Sequence, residues 1–124
     1  YAAALREIRS GRKRSHWIWY IFPQVAGLGM SSTSQFYAIS GLDEARAYLN
    51  EPTLRAHLLE ISNALLALEE SDPSAVFGFP DDLKLRSSMT LFAAAEPDEP
   101  VFAAVLDQFF GGQPDPRTLQ ILGL

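Results

Sequence analysis

The stretch that decides the fold is residues 51–69, which read EPTLRAHLLEISNALLALE. Apolar residues recur there at steps of four, three, four and three positions, at Leu54, Leu58, Ile61, Leu65 and Leu68. This spacing puts the five side chains on one face of a helix, because an α-helix completes a turn about every 3.6 residues. The stretch therefore predicts a long amphipathic helix that ends near Glu69.

A proline that follows an acidic residue opens this stretch, and the same pair recurs along the chain. The ring of proline holds φ close to the helical value, so proline is favoured at the first position of a helix. Four of these pairs are interpreted as helix starts, namely Glu51-Pro52, Asp72-Pro73, Glu99-Pro100 and Asp115-Pro116.

Further helical segments flank the central one. They run from Leu42 to Asn50, from Pro80 to Ala95, from Pro100 to Phe110 before Gly111-Gly112, and for a turn or two after Pro116. The hydroxyl of Ser40 is predicted to cap the free amide of Asp43 at the first of them. Their apolar faces consist of Leu42, Ala45 and Leu49, of Leu85, Met89 and Phe92, and of Phe102, Val105, Leu106 and Phe109.

The aromatic run Trp17–Phe22 has the composition of a β-strand. It has no partner run elsewhere, and a lone strand leaves its backbone groups unpaired. The sequence therefore predicts an all-α fold, a compact single-domain bundle of about six or seven helices over residues 1–124. Residues 23–40, rich in glycine and serine, are predicted to cross its surface as a connection. Because the helical pattern is already present at Tyr1, we expect a short N-terminal segment before it.

Composition excludes several classes of protein. The chain has 124 residues, 48% of them hydrophobic, a net charge of -5 and no cysteine. The apolar fraction is too high for a disordered segment, and no apolar run reaches the roughly 18 residues of a membrane-spanning helix. The lack of cysteine excludes disulfides, cysteine-ligated zinc, iron–sulfur clusters and thiol catalysis. The two histidines lack metal-ligand spacing. We expect no metal, no cofactor and a cytoplasmic location.

Charge is distributed unevenly along the chain. Residues 1–30 contain five basic side chains and one acidic one, Glu7, whereas the remaining residues sum to -9. A basic segment in an acidic chain is where an anionic partner is expected to bind. The candidate site residues lie mostly in this segment.

His16 is the candidate catalytic residue, because imidazole exchanges protons near neutral pH. The alternative is a structural histidine that donates to a backbone carbonyl or caps a helix. The aromatic side chains of the segment can stack on a flat ring, but Trp17, Tyr20 and Phe22 are also typical core residues. The predicted ligand-binding residues are Arg12, Lys13, Arg14, Trp17, Trp19, Gln24, Gly27, Gly29, Ser31, Tyr37, Lys84, Ser87 and Ser88.

Two of these groups have a weaker basis. Residues 27–32, GLGMSS, contain the glycines and hydroxyls of a phosphate-binding loop. They lack the third glycine and the Gly-Lys-Ser/Thr ending of the known fingerprints, so a turn with left-handed glycines is the alternative. Residues 84–90 place Lys84, Ser87 and Ser88 on a predicted helix, either as a solvated face or as the lining of a pocket.

Residues 11–24, GRKRSHWIWYIFPQ, followed by Gly27-Leu28-Gly29, Ser31 and Tyr37, resemble the hallmark of the domain-of-unknown-function 1810 family, DUF1810, whose members are often labelled calpastatin. Phe77-Gly78 and residues 84–92, KLRSSMTLF, resemble later motifs of that family. The resemblance covers nearly the whole chain and implies a small, mainly α-helical fold without an established activity. The calpastatin label carries no weight, because nothing here resembles the disordered calpain-inhibitor repeats that it describes.

Three functions are compatible with the sequence, and a small-molecule site is favoured. It takes a nucleotide-like or ADP-ribose-like anion and, if the protein is an enzyme, hydrolyses it, by analogy with all-helical N-glycosidases of the NADAR type. His16 is then the proton shuttle, Lys84 and Arg12–Arg14 hold the anion, and Gln24 or Ser31 orients ligand or water. A protein-interaction module with an exposed Trp17 or Trp19 and a basic rim is the second. Nucleic-acid binding is the third, and the acidic remainder argues against it.

Overall fold

The computed structural model describes residues 1–28 and 32–124, and this part of the chain is helical. Its only β-type pairing is a parallel bridge between Val25 and Ile39. The all-α prediction is therefore confirmed. The helices are α1 (Ala2–Arg9), α2 (Ile18–Ile21), α3 (Ser32–Tyr37), α4 (Leu42–Asn50), α5 (Pro52–Leu66), α6 (Pro73–Phe77), α7 (Asp81–Ala95), α8 (Pro100–Phe110) and α9 (Pro116–Leu122).

Helix α7 occupies the centre of the bundle. It packs against α2, α4, α6, α8 and α9, and every residue from Ser87 to Phe92 on it is buried. A helix that is covered on nearly all sides keeps no solvated stripe, which explains why small hydroxyl residues alternate there with large apolar ones. Helix α5 packs against α1, α4 and α8 and completes the core.

The four acidic–proline pairs named above behave as predicted, whereas a fifth, Glu96-Pro97, follows the end of α7 and begins no helix. In each of the four pairs the proline occupies the first turn of a helix, and the preceding carboxylate caps that helix by accepting a hydrogen bond from a free backbone amide. The capping bonds join Glu51 to the amide of Leu54, Asp72 to that of Ser74, Glu99 to that of Val101, and Asp115 to that of Thr118.

The predicted apolar face of α5 is buried at its central residues. Leu58, Ile61 and Leu65 lie in the core, whereas Leu54 is 38% exposed. Helix α5 ends at Leu66, three residues before the predicted end at Glu69. The end residues of the stripe are therefore less buried than its centre, because the bundle does not extend as far as the hydrophobic pattern does.

The predicted cap at Ser40 is wrong. Gly41 occupies the N-cap position of α4 and no side chain caps there. Instead, the backbone amide of Ser40 donates to the carboxylate of Glu44, one turn into the helix. The side chain inside the helix reaches back to the chain that enters it, one residue before the N-cap amide that a capping box uses.

Residues 23–40 are more than a surface connection, so that part of the fold prediction is corrected. They contain α3, and Ala26 donates to the carbonyl of Ile39 at 2.7 Å while the amide of Ile39 donates to the carbonyl of Gln24 at 2.8 Å. Val25 and Ile39 are both buried. Two apolar side chains thus anchor both ends of the connection in the core, a feature that the glycine and serine content does not reveal.

Candidate functional site

The basic segment forms a loop, residues 11–16, which we call the basic loop. Glu7 on α1 shapes it by accepting four hydrogen bonds with its carboxylate. The backbone amides of Arg14 and Ser15 donate at 2.6 Å and 2.9 Å, the Ser15 hydroxyl at 2.5 Å and the Trp17 indole N–H at 3.0 Å. The one acidic residue of this segment is therefore bound to uncharged donors and not to an arginine.

These hydrogen bonds change the acidity of Glu7. Removal from water opposes ionisation, but the hydrogen bonds from the Ser15 hydroxyl, the Arg14 amide, the Trp17 indole and the Ser15 amide outweigh it. They lower the pKa of Glu7 from 4.5 to about 2. The carboxylate form is therefore the one that holds the basic loop in place.

We expect Glu7→Gln to destabilise the protein at pH 7 and to flatten its stability profile in acid. Because the folded pKa lies below the unfolded one, ionised Glu7 stabilises the fold above a pH of about 4.5, and this contribution is lost as the pH falls towards 2. Urea denaturation at several pH values measures the effect. Glu69→Gln, at an exposed residue, is the control. Parallel profiles for wild type and Glu7→Gln would contradict this role.

A second group of charges fastens the basic loop to the start of α7. The Lys13 ammonium lies 2.7 Å from one carboxylate oxygen of Asp81, and the Lys84 ammonium lies 3.4 Å from the other. Lys13 also donates to the carbonyl of Ser15 at 2.6 Å, and its side chain is only 6% exposed. We call Lys13, Asp81 and Lys84 the lysine–aspartate cluster. The Asp81 carboxylate thus pairs with both lysines.

Each lysine of the cluster also covers a tryptophan. The ammonium of Lys13 lies 5.1 Å from the centre of the Trp17 ring, and that of Lys84 lies 5.1 Å from the centre of the Trp19 ring. Both distances are typical of cation–π contacts. The indole N–H of Trp19 is buried and has no hydrogen-bond partner within residues 1–28 and 32–124. This is a donor that a polar atom entering the site could satisfy.

The remaining cations of the loop are exposed. The side chains of Arg12, Arg14 and His16 face solvent, and none has an ion-pair or hydrogen-bond partner among the described residues. Nothing there orients the His16 imidazole as a general base. The structure thus brings Lys13, Trp17, Trp19 and Lys84 of the predicted site into one cluster and places the three exposed side chains on the adjoining loop.

Other predicted site residues contact other parts of the fold. The carbonyl of Gly27 accepts a hydrogen bond from Arg117 of α9 at 3.5 Å, and Gln24 pairs through its backbone with Ile39. Tyr37 packs against the ring of Tyr20 at 5.7 Å. Gly29 and Ser31 lie outside the described residues.

The two serines of α7 differ from each other. The Ser87 hydroxyl donates to the carbonyl of Leu83 at 3.2 Å and lies 3.4 Å from the carboxylate of Asp115, the cap of α9. Ser88 is fully buried, and its hydroxyl has no partner among the residues described. Ser87 therefore contributes to the contact between α7 and α9.

The core alternative holds for two of the three aromatic residues. Trp17 and Phe22 are buried, and the Trp17 ring packs at 6.2 Å from that of Phe22 and at 6.3 Å from that of Phe77. The prediction that Trp17 is exposed at a partner surface is therefore wrong, because its ring is 2% exposed and its N–H is bound to Glu7. Tyr20 is 46% exposed, so its assignment to the core is also wrong.

Two site residues were missed by sequence reasoning, Glu7 and Asp81. Glu7 is the only acid among the first 30 residues, and a single carboxylate within a basic segment is a signal that it has a structural partner there. Asp81 lies three residues before Lys84, which puts both on one helical face. No sequence signal connects Asp81 to Lys13, which is 68 positions away.

The described part of the chain contains no group of three or more histidine and acidic side chains arranged to hold a metal ion. Nor does any helix in that part have the length and apolar character needed to cross a membrane.

Comparison with known proteins places this arrangement in a family. A solved structure of the conserved hypothetical protein Rv1873 from Mycobacterium tuberculosis is similar over 100% of this chain and 89% of its own, with 44% sequence identity and a TM-score of 0.97. A search of curated proteins finds no match. The family model described as protein of unknown function DUF1810 matches residues 1–122. The chain therefore belongs to the DUF1810 family.

Proposed function

We propose that the basic loop and the lysine–aspartate cluster bind an anionic small molecule of nucleotide-like or ADP-ribose-like chemistry. The observation that carries this proposal is the exposure of three cationic or ionisable side chains that lack an acidic partner. Arg12, Arg14 and His16 are exposed next to the cluster and have no acidic partner among the described residues. In a chain with a net charge of -5, unpaired cations gathered on one loop favour an external anion.

The local charge balance supports the same proposal. Within the loop and cluster, Arg12, Lys13, Arg14 and Lys84 face two carboxylates, Glu7 and Asp81, which leaves a net charge of +2. Both carboxylates are bound, Glu7 by four hydrogen bonds and Asp81 by two lysines. Neither is free to neutralise an arginine. Guanidinium groups bind phosphate through two parallel N–H bonds, so two exposed arginines suit a phosphate or diphosphate group.

The loop that presents these cations is held rigidly. Its backbone is fixed by Glu7, and the amide of Lys13 donates to the carbonyl of Val76 in α6 at 2.7 Å. A fixed backbone reduces the conformational entropy that is lost when a ligand binds. Lys84 and Trp19 lie at the edge of the same cluster and supply a cation and an aromatic edge for the rest of the ligand.

If the protein is an enzyme, the reaction class that we propose is hydrolysis of the bound molecule. His16 supplies the imidazole of the loop, the side-chain type most often used as a general acid or base. Because the free structure holds no partner for its imidazole among the described residues, the ligand itself must orient it. A turnover assay with ADP-ribose conjugates therefore follows only after binding has been measured.

The test is a thermal-shift and calorimetric screen of nucleotides and ADP-ribose against the wild-type protein, Arg14→Ala and His16→Ala. A ligand at a hundred times its Kd stabilises the fold by about 2.7 kcal/mol. We expect one of these compounds to do so, and each substitution to weaken its binding at least tenfold. Both side chains are exposed, so the variants should remain folded.

Arg46→Ala is the matched control. Arg46 contacts the carbonyl of Ala95, at the end of α7 opposite Asp81, and the 15-residue helix separates the two ends by about 21 Å. Binding should be unchanged in this variant. Equal losses in Arg46→Ala and Arg14→Ala, or no shift with any compound, would refute the proposal. The second result favours a protein-interaction module, whereas steeply salt-dependent binding of any oligonucleotide favours nucleic acid.

A further inference from the structure

The lysine–aspartate cluster holds more positive than negative charge. Lys13 and Lys84 are the two lysines of the chain, and both pair with the single carboxylate of Asp81, so the cluster has a net charge of +1. The side chains of Lys13, Lys84 and Asp81 are 6%, 25% and 19% exposed, so water reaches this charge only in part. A partly desolvated surplus charge favours the binding of an ion of opposite sign.

The two lysines are not held equally. The Lys13 ammonium lies 2.7 Å from Asp81 and also donates to the Ser15 carbonyl. The Lys84 ammonium lies 3.4 Å from Asp81, which is beyond the usual range of an N–H···O bond, and it makes no other hydrogen bond or ion pair with the described residues. Lys84 can therefore turn to an entering anion while Asp81 stays paired with Lys13.

Trp19 supplies a second donor beside Lys84. The Lys84 ammonium lies 5.1 Å from the centre of the Trp19 ring, whose buried N–H lacks a partner among the residues described. The N–H of Trp17, by contrast, is bound to Glu7 at 3.0 Å. A buried donor without an acceptor is costly to the fold, and an acceptor that reaches it recovers this cost. A loosely held cation and an unsatisfied N–H thus lie side by side.

A ligand group that enters this place must offer acceptors. Both oxygens of Asp81 are paired with lysines, and the carboxylate of Glu7 already accepts four hydrogen bonds. A hydroxyl or an amino group therefore brings an O–H or N–H that finds neither carboxylate free. A phosphate group brings acceptor oxygens and a negative charge. Among the groups of a nucleotide-like ligand, it is the one that suits Lys84 and Trp19.

We propose that Lys84 and the indole N–H of Trp19 form a subsite for a second phosphate group of the ligand, beside the one that Arg12 and Arg14 bind. This inference rests on the proposed function and specifies how its ligand is oriented. Lys84 turns from Asp81 to the phosphate. This movement uncovers part of the Trp19 ring, and a phosphate oxygen accepts a hydrogen bond from its N–H.

The test follows the indole N–H signals in two-dimensional proton–nitrogen NMR spectra during titration with inorganic pyrophosphate at constant ionic strength. The chain has two tryptophans, and Trp19→Phe identifies their signals. We expect the Trp19 signal to move downfield and to saturate, because its N–H gains an acceptor, while the Trp17 signal stays in place. A Trp19 signal that stays in place while pyrophosphate binds, or no binding of pyrophosphate, would overturn the inference.

Two variants with the same change in charge locate the subsite. Lys84→Met removes the cation but keeps a long side chain, and we expect it, like Arg14→Ala, to weaken pyrophosphate binding at least tenfold. Arg86→Met removes one charge from the same helix, but the Arg86 guanidinium lies over the Phe110 ring and donates to the Gln113 carbonyl. Binding should be unchanged in Arg86→Met. Equal losses in Lys84→Met and Arg86→Met would mean that pyrophosphate responds only to overall charge, and the subsite fails.

These results are separable from those that test the proposed function. If nucleotides bind in a way that depends on Arg14 but leave the Trp19 signal unchanged, the subsite is refuted and the proposed function stands. If pyrophosphate shifts the Trp19 signal and needs Lys84 but no nucleotide binds, the subsite stands and the proposed function is refuted.

Discussion

Asp81→Asn is expected to lower the free energy of unfolding by about 3 kcal/mol. The substitution keeps the size of the side chain but leaves the Lys13 ammonium without its carboxylate, 2.7 Å away, and Lys84 without its partner. Lys13 cannot turn to water easily because its side chain is 6% exposed. Removing one member of a buried ion pair leaves a charge that is neither hydrated nor compensated, and this is costly.

Chemical denaturation of Asp81→Asn beside Asp43→Asn measures this effect. Asp43 also pairs with a basic residue, Arg46, three positions away, but its side chain is fully exposed. Pairs of that kind contribute little, so no measurable change is expected there. Equal stabilities of wild type and Asp81→Asn would show that Lys13 finds water or another acceptor. Adding Lys13→Met to Asp81→Asn should restore part of the lost stability, because the uncompensated charge is gone.

Phe92→Ala is expected to have the largest effect, a loss of about 4 kcal/mol. Phe92 is fully buried in the last turn of α7, and its ring lies 5.3 Å from that of Tyr48 in α4 and 5.7 Å from that of Phe102 in α8. Truncation removes the buried ring surface and leaves a cavity between three helices. Closely packed rings on either side limit how far the structure can relax into it.

Urea denaturation measures the loss, with Phe36→Ala as the control. Both substitutions remove the same atoms, but Phe36 is 80% exposed. Phe36→Ala should therefore change the free energy of unfolding by less than about 1 kcal/mol. A small effect of Phe92→Ala would mean that the helices close the cavity.

Helix starts were predictable because they depend on neighbours in sequence. At four acidic–proline pairs the proline sets the φ angle and the acid supplies the cap, and these four starts are confirmed. The pair alone is not sufficient, because Glu96-Pro97 follows the end of α7 and begins no helix. The predicted cap at Ser40 is wrong because Gly41 occupies the N-cap position, and the Ser40 amide binds Glu44.

The candidate site was predictable only in part. Its basic and aromatic residues are contiguous in sequence, so composition identified the segment. Asp81 is distant from this segment in sequence, and it pairs with Lys13 of the basic loop from the start of α7. Whether an aromatic residue is buried depends on the side of its helix that it occupies as well as on its size. Helix α2 has four residues, and it buries Ile18 and Ile21 while Tyr20 faces outward.

The acid caps limit how the charge of this protein can be engineered. Neutralising acidic residues is a simple way to raise an isoelectric point and strengthen anion binding, and the sequence value here is about 4.9. At Glu51, Asp72, Glu99 or Asp115, neutralisation by alanine removes a helix cap worth about 1 kcal/mol. Glu69 and Asp98 are exposed, and their side chains make no hydrogen bond or ion pair with the described residues. A charge-altered variant should therefore begin with those two positions.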